Sequence, residues 1–389
     1  MIDIVRTITS HLPSRRRENG DAPETQRIRY AVVGLGYISQ SAVLPAFEHA
    51  ERNSELVALV SDSQHKLRRL GEDYKVDLRF TYEEFDELAA SGAIDAVYIA
   101  LPNSMHREYT ERAARHGVHV LCEKPMAVTA EDCKAMMQAA RSAKVKLMIA
   151  YRLHFEPANL EAAAIVRSRT LGDVRIFNSL FSMQVKAGDI RLKKALGGGV
   201  LYDIGIYCIN AARMIFRAEP IEVSAFAGNN GDARFREVAE MVTATLRYPG
   251  DRLATFVTSF GAADSSRYEL IGTKGRLALD PAYEIGQPLT HYLTLDGRTR
   301  KKRFKARDQF APELEYFSDC ILNDKEPEPS GLEGLADVQI IQALEKSSKT
   351  RRPVTLRLRT DAPPARSQAM YKPRVRRQEL VGASPPHPN

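Results

Sequence analysis

The sequence predicts a two-domain α/β protein, with a parallel sheet in the first domain and a large open, mainly antiparallel sheet in the second. Three observations carry this reading. An apolar strand near residue 28 runs straight into a Gly-x-Gly turn. Strands and helical patterns then alternate to about residue 151, as parallel sheets with crossover helices require. From Ile221 the β-like segments follow one another through turn residues alone, the signature of an antiparallel sheet.

With 389 residues the chain suits two domains and tails, and its 44% hydrophobic content is enough for real cores. No stretch approaches the roughly 18 consecutive apolar residues of a membrane span, and Met1 to Ser10 is too short and polar for a signal-peptide core. Cys122, Cys133, Cys208 and Cys320 are scattered without a C-x-x-C pair, so reduced thiols and a cytoplasmic setting are expected. No metal site is expected. The net charge of +7 sits mostly in residues 357–389, which hold seven Lys or Arg against two acids. The near-neutral body therefore carries no nucleic-acid footprint.

Residues 1–27 read as a polar tail or an arm laid on another surface. Ile28 to Val33 is a strand, and it enters Gly34-Leu35-Gly36-Tyr37-Ile38-Ser39, a G-x-G-x-x-G pattern with Ser in third place. The first glycine permits the tight turn, and the second lets a pyrophosphate approach the backbone. A small third residue lets the next helix pack closely, with its free N–H groups facing the phosphates. Helical spacing from Ala42 to Ala50 leads to the strand Leu56 to Val60. There an NAD-binding fold would carry an acid for the ribose 2′-hydroxyl, but Ser61 stands in that place, with Lys66, Arg68 and Arg69 following. This favours a 2′-phosphate, hence NADP over NAD. Asp62, one place later, could still reach the ribose or cap a helix.

Ile94 to Leu101 is a buried strand closed by Pro102-Asn103, with His106 in the next helix. Val118 to Leu121 is another strand, ending in Glu123-Lys124-Pro125. A strand so terminated delivers an ammonium to the carboxyl edge of the sheet, where open α/β folds bind ligands, so Lys124 is the first candidate for chemistry. Thr129-x-x-Asp132 opens a helix as a capping box, and Lys146 to Ala150 closes the first domain, residues 28–151.

The second domain, residues 152–356, begins with Arg152 and His154 and a helix from Pro157 to Arg169. Strands are expected at Val174 to Phe181, Ile221 to Ala227, Met241 to Arg247, Leu253 to Phe260, Tyr268 to Gly272 and Arg276 to Leu279. Helices follow at Pro312 to Leu322 and Gly334 to Ser347. The basic stretch Arg298 to Arg307 is expected to guard a sheet edge and bind nothing. Residues 357–389 form a basic, Pro-rich tail of disordered composition.

Within this domain Gly197-Gly198-Gly199 turns into an apolar helix running to Phe216, on which Asp203 and Tyr207 are four apart and share a face. Hydride transfer between a sugar alcohol and a nicotinamide needs an acid/base for the oxygen proton and a positioning cation. Tyr207 can be the acid/base, because an ammonium such as Lys124 nearby favours the phenolate of a group whose free pKa is ~10. Asp203 would orient the substrate or Lys124.

Gly34-Leu35-Gly36, Glu123-Lys124-Pro125, Tyr151-Arg152-x-His154 and Gly197-Gly198-Gly199-x-x-x-Asp203-x-Gly205-x-Tyr207, in this order, resemble the Gfo/Idh/MocA oxidoreductases. The similarity spans roughly residues 28–356 and is strongest to the glucose-fructose oxidoreductase branch, through Leu101-Pro102-Asn103-Ser104 and Asp203-Ile204-Gly205-Ile206-Tyr207. It implies a Rossmann domain followed by an α/β domain with an open antiparallel sheet. It further implies Lys124, Asp203 and Tyr207 as catalytic positions that also bind substrate with His154, and Ser61 and Lys66 as the pair for the NADP phosphate. Tyr82, His106, Glu123 and Arg152 match positions lining the cofactor cleft, alongside Gly34 to Ile38 and Leu101 to Asn103. The segment Ser182 to Lys194 should overhang the pocket.

The function expected is NADP-dependent hydride transfer to or from a cyclic aldose or related polyol, with the cofactor either recycled in place between two sugars or released. A non-catalytic NADP-binding sensor is the reading from another class, and it need not retain Lys124, Asp203 and Tyr207 together. The open sheet suggests a homodimer or homotetramer, with no nucleic-acid or membrane partner.

Overall fold

The computed structural model describes residues 26–358 and 379–387. The expected N-terminal tail therefore lies almost wholly outside the described residues, as does much of the C-terminal one.

The first domain is a six-stranded sheet, parallel throughout. In chain order its elements are β1 (Ile28–Val33), α1 (residues 39–49), β2 (Ser54–Val60), α2 (Gln64–Asp73), β3 (Leu78–Phe80), α3 (Phe85–Ala90), β4 (Ala96–Ile99), α4 (His106–Arg115), β5 (His119–Glu123), α5 (Ala130–Ala143) and β6 (Leu147–Ala150). The strand order β3-β2-β1-β4-β5-β6 places β1 at the centre, and the order reverses between β1 and β4. Ligands of open α/β sheets lie at this reversal, beyond the carboxyl ends of the strands. The position of β1 explains its composition. Tyr30 and Val32 pack into an apolar cluster on one face and Ala31 and Val33 into another, so every residue but Arg29 is buried. The short strand β3 and helix α3 were not foreseen, because three residues of strand give too little periodicity to read.

The second domain comprises α6 (Pro157–Arg167), β7 (Val174–Ser182), α7 (Ile206–Phe216), β8 (Glu222–Gly228), β9 (Met241–Tyr248), β10 (Arg252–Ser259), β11 (Ser265–Gly272), β12 (Gly275–Leu279), β13 (Thr290–Leu295), β14 (Arg298–Arg303), α8 (Phe310–Leu322), α9 (Gly331–Thr350) and β15 (Val354–Thr355). Nine strands form one sheet in the order β14-β13-β12-β11-β7-β10-β9-β8-β15. All its pairings are antiparallel except β10 with β7, because β7 enters mid-sheet after a helix rather than through a hairpin. Arg298–Arg303 of the basic stretch form the edge strand β14, exposed along its whole length, as expected of charges that guard an edge, whereas Arg307 at the end of the stretch lines the interdomain cleft.

Two helices join the domains. Helix α8 packs beneath β1 and β2, where Tyr30 Oη lies 2.8 Å from Ser318 Oγ. Helix α9 bridges α5, β6 and β8. Among the described residues the stretch Lys194–Phe216, a short turn and a helix joined through Gly197 to Gly199, is long and apolar enough to cross a membrane by composition, but 72% of its apolar window is buried in the fold. Its apolar surface is core.

Residues 379–387 are not a loose tail but fold back across the body, with Val381 and Pro386 buried.

Candidate active site

The carboxyl ends of the parallel strands face the second domain across a cleft of about 810 Å³. That volume falls within the roughly 300–1,000 Å³ of small-molecule and cofactor sites. Its floor is the β1–α1 turn. Gly34 holds φ at +95°, and a Cβ there would lie 2.6 Å from the carbonyl oxygen of Ala100, so only glycine lets β1 and β4 approach so closely. Ser39, in the third fingerprint position, donates its hydroxyl to the carbonyl of Gly34 and is fully buried, locking the turn. A Cβ on Gly36 would meet nothing within 4 Å, so this face of the loop is open to the cleft. Gly34 to Ile38 and Leu101 to Asn103 all line it.

Ser61 and Lys66 lie on the cleft wall beside Tyr82. Ser61 is buried, accepting from the backbone N–H of Ser63 at 3.2 Å. Burial lowers the Lys66 pKa, and among the described residues no carboxylate forms an ion pair with its ammonium. A partly buried cation without an anion beside a small hydroxyl suits a phosphate monoester. Asp62 turns away, since its carboxylate accepts from the backbone N–H of Tyr82 at 3.2 Å and it does not line the cleft. Of the two, only Ser61 lines the cleft.

Lys124, Asp203 and Tyr207 converge from opposite walls. The Lys124 ammonium donates to the backbone carbonyl of Asp203 at 2.8 Å, lies 3.6 Å from Asp203 Oδ1, and sits 4.6 Å from the centre of the Tyr207 ring. Its approach depends on the turn before the helix. A Cβ on Gly198 would lie 2.4 Å from the carbonyl oxygen of Arg191, so the chain passes there only as glycine. Asn103 ties this turn to the first domain by donating to the carbonyl of Gly197 at 2.8 Å.

Two cations at the site were not given these roles by sequence. Arg191, in the overhanging segment, donates Nε–H to Asp203 Oδ2 at 2.8 Å and is itself braced by Asp189. Burial alone would raise the Asp203 pKa, but Arg191 and then Lys124 outweigh it and hold the carboxyl below its usual range. Arg152, expected as cofactor lining, reaches further. Its Nε–H donates to Tyr207 Oη at 3.1 Å while its other nitrogens donate to Gln309 Oε1 and to the carbonyl of Tyr283. The phenol is therefore gripped by a guanidinium, with Lys124 over its ring face. No local motif pairs Arg152 with Tyr207, which is why spacing pointed to Lys124 alone.

Glu123, whose pKa burial raises, accepts from Tyr98 Oη at 2.9 Å and from the Lys124 backbone N–H at 3.2 Å. It fixes the strand end that presents the lysine.

Two expectations fail. His106 does not line the cleft. It is fully buried, with Nδ1 and Nε2 each 2.9 Å from the carbonyls of Pro125 and Leu101. A charged ring would satisfy both carbonyls, whereas burial lowers its pKa; in either state it struts the two loops that form the wall. His154 does not line the cleft either. It lies behind Tyr207 with Nε2 2.8 Å from Asn210 Oδ1, facing a void of about 10 Å³ lined also by Lys124 and Met214. Such a space barely admits one water.

Comparison with known proteins decides the family. Residues 28–151 match "Oxidoreductase family, NAD-binding Rossmann fold", and residues 159–278 match "GFO/IDH/MocA C-terminal domain". The chain belongs to this family. D-xylose 1-dehydrogenase [NADP(+)] from Haloarcula marismortui is 32% identical over 85% of this chain and 93% of its own length. The structure of aldose-aldose oxidoreductase from Caulobacter crescentus, complexed with glycerol, superposes with a TM-score of 0.82 at 38% identity, covering 85% of this chain and all of that one. A 3-ketoreductase from Actinomadura kijaniata in complex with NADP and TDP-benzene superposes at 0.76 with 26% identity, over 83% and 98% of the two chains.

Proposed function

We propose that this oxidoreductase uses NADP to move a hydride to or from the hydroxyl-bearing carbon of a cyclic aldose or related polyol. The observation that carries the proposal is the meeting of the Lys124 ammonium, Asp203 and the Tyr207 phenol in the cleft that contains the Gly34 to Gly36 turn. The relatives that act on D-xylose with NADP and on aldoses point to the same substrate class.

When bound, the nicotinamide supplies the hydride-carrying C4 position. The protein supplies the rest. Tyr207 exchanges the proton of the sugar oxygen, and Arg152 donates to Tyr207 Oη so that the oxygen keeps its place whether or not it carries that proton. Lys124, held by the Asp203 carbonyl, places a positive charge where the sugar oxygen becomes alkoxide-like. Asp203, kept ionised by Arg191, anchors that lysine. Ser61 and Lys66 take the 2′-phosphate. A non-catalytic sensor would have no use for this arrangement of acid/base, cation and carboxylate.

The four cysteines are free and buried, consistent with the cytoplasmic setting we infer. The outer face of the large sheet is proposed as the contact between identical subunits.

Absorbance of the purified protein mixed with NADP, before and after addition of a series of aldoses, tests the reading. Growth of the reduced-nicotinamide band on addition of an aldose is expected. A protein that binds NADP but yields no reduction or oxidation with any aldose or polyol would return the sensor reading to first place.

A further inference from the structure

The segment Glu379 to His387 crosses the mouth of the cleft. On the first-domain side it is clasped by Gln40, on α1 directly after the glycine turn. The backbone N–H of Val381 donates to Gln40 Oε1 at 2.6 Å, and Gln40 Nε2 donates back to the Val381 carbonyl at 2.9 Å. Both residues are buried, and the Val381 side chain joins the apolar cluster containing Leu35, Leu67 and Phe310. The next residue passes directly over the proposed phosphate ligand, since a Cβ on Gly382 would stand 3.3 Å from Lys66 Cε.

The strap then reaches the second domain. The Lys186 ammonium donates to Ser384 Oγ, and the Lys186 backbone N–H donates to the Pro386 carbonyl at 3.0 Å. His387 Nδ1 is 3.6 Å from Asp264 Oδ2. Pro386 and His387 lie in the cleft wall with Gly34 to Ile38, Lys66, Asp203 and Tyr207. The two anchors, Val381 and Pro386, lie five positions apart, a reach of up to roughly 17 Å along the cleft.

We propose that this strap retains NADP: a bound dinucleotide lies beneath it and leaves only when the Gln40 clasp and the Val381 anchor open. The proposal rests on the NADP reading above. It adds that release is slow relative to sugar exchange, the condition under which one bound cofactor serves two sugars in succession.

The test uses full-length protein loaded with NADPH and mixed rapidly with excess NADP, following the loss of protein-enhanced nicotinamide fluorescence. Val381→Asp, and a chain ending at Gln378, should each release NADPH on the order of tenfold faster or more, because loss of one buried anchor and its paired hydrogen bonds appears mainly in the dissociation rate. Unchanged release overturns the proposal. Should either variant misfold, hydrogen exchange on the unmodified chain decides. Amides of residues 379–387 slow when NADP is added if the strap closes over it, and equal exchange with and without NADP overturns the idea. A full-length protein that takes up no NADP defeats both this proposal and the cofactor reading, whereas one that binds NADP and releases it indifferently to the strap defeats only this one.

Discussion

Tyr207 illustrates how a side chain is defined by neighbours far away in sequence. Helical spacing put it beside Asp203, yet its hydroxyl is held by Arg152, 55 residues away, and its ring is covered by Lys124. Tyr207→Phe should lower turnover by about 10²- to 10⁴-fold with little change in NADP affinity. Arg152→Met should lower turnover in the same direction, and the double variant should lose less than the product of the two, since both act on one oxygen. Steady-state kinetics beside a fluorescence titration of NADP checks this, and near-normal turnover in Tyr207→Phe would remove the acid/base role. At Ser61 the prediction is a change of cofactor. Ser61→Asp sets a carboxylate where the 2′-phosphate would lie and offers the ribose a hydrogen-bond acceptor, so preference should move toward NAD. Dissociation constants for both nucleotides measure it; a variant that still favours NADP as strongly as the parent would mean that Lys66 alone governs the choice.

At the scale of elements, the site depends on how α9 clamps α7 behind it. Asp337 on α9 accepts from Tyr151 Oη at 2.6 Å, from Asn210 Nδ2 at 2.9 Å and from Arg213 Nη1 at 2.7 Å, all of them buried. Burial raises the Asp337 pKa to about 6 despite the opposing pull of Arg213. A carboxyl whose folded pKa exceeds its unfolded value of ~3.9 takes up a proton in the folded state first, so its contribution to stability rises as pH falls through about 6. The stability difference between the parent and Asp337→Asn should therefore shift by roughly 1 kcal/mol in favour of the parent from pH 8 to pH 5. Denaturant unfolding at both pH values measures it, and a difference that does not vary with pH would show that Asp337 is not the titrating group. This clamp was hidden in the sequence. The helix Gly331–Thr350 was legible from its periodicity, but nothing in the order of residues says that Asp337 meets Tyr151 and Arg213.

Across the whole molecule, the register of the large sheet gathers Ile176, Phe226, Met241 and Leu253 on its outer face, each more than 40% exposed. Four large apolar side chains on one open sheet are what the subunit contact proposed above would cover. Phe226→Asp should lower the mass found by sedimentation to that of a smaller species while leaving the fold intact; an unchanged mass would place the subunit contact elsewhere. The two-domain order, the parallel sheet, the glycine turn and the trio Lys124, Asp203 and Tyr207 were legible from the residues alone, because these are written in local periodicity, in turn chemistry and in residue types set at short spacings. The folded structure supplied the contacts between distant segments. It gave Arg152 to Tyr207 and Arg191 to Asp203, withdrew His106 and His154 from the cleft, placed β7 in parallel beside β10, and folded residues 379–387 over the cleft. Each depends on side chains or strands brought together by packing from far along the chain, and neither composition nor periodicity encodes such pairings one segment at a time.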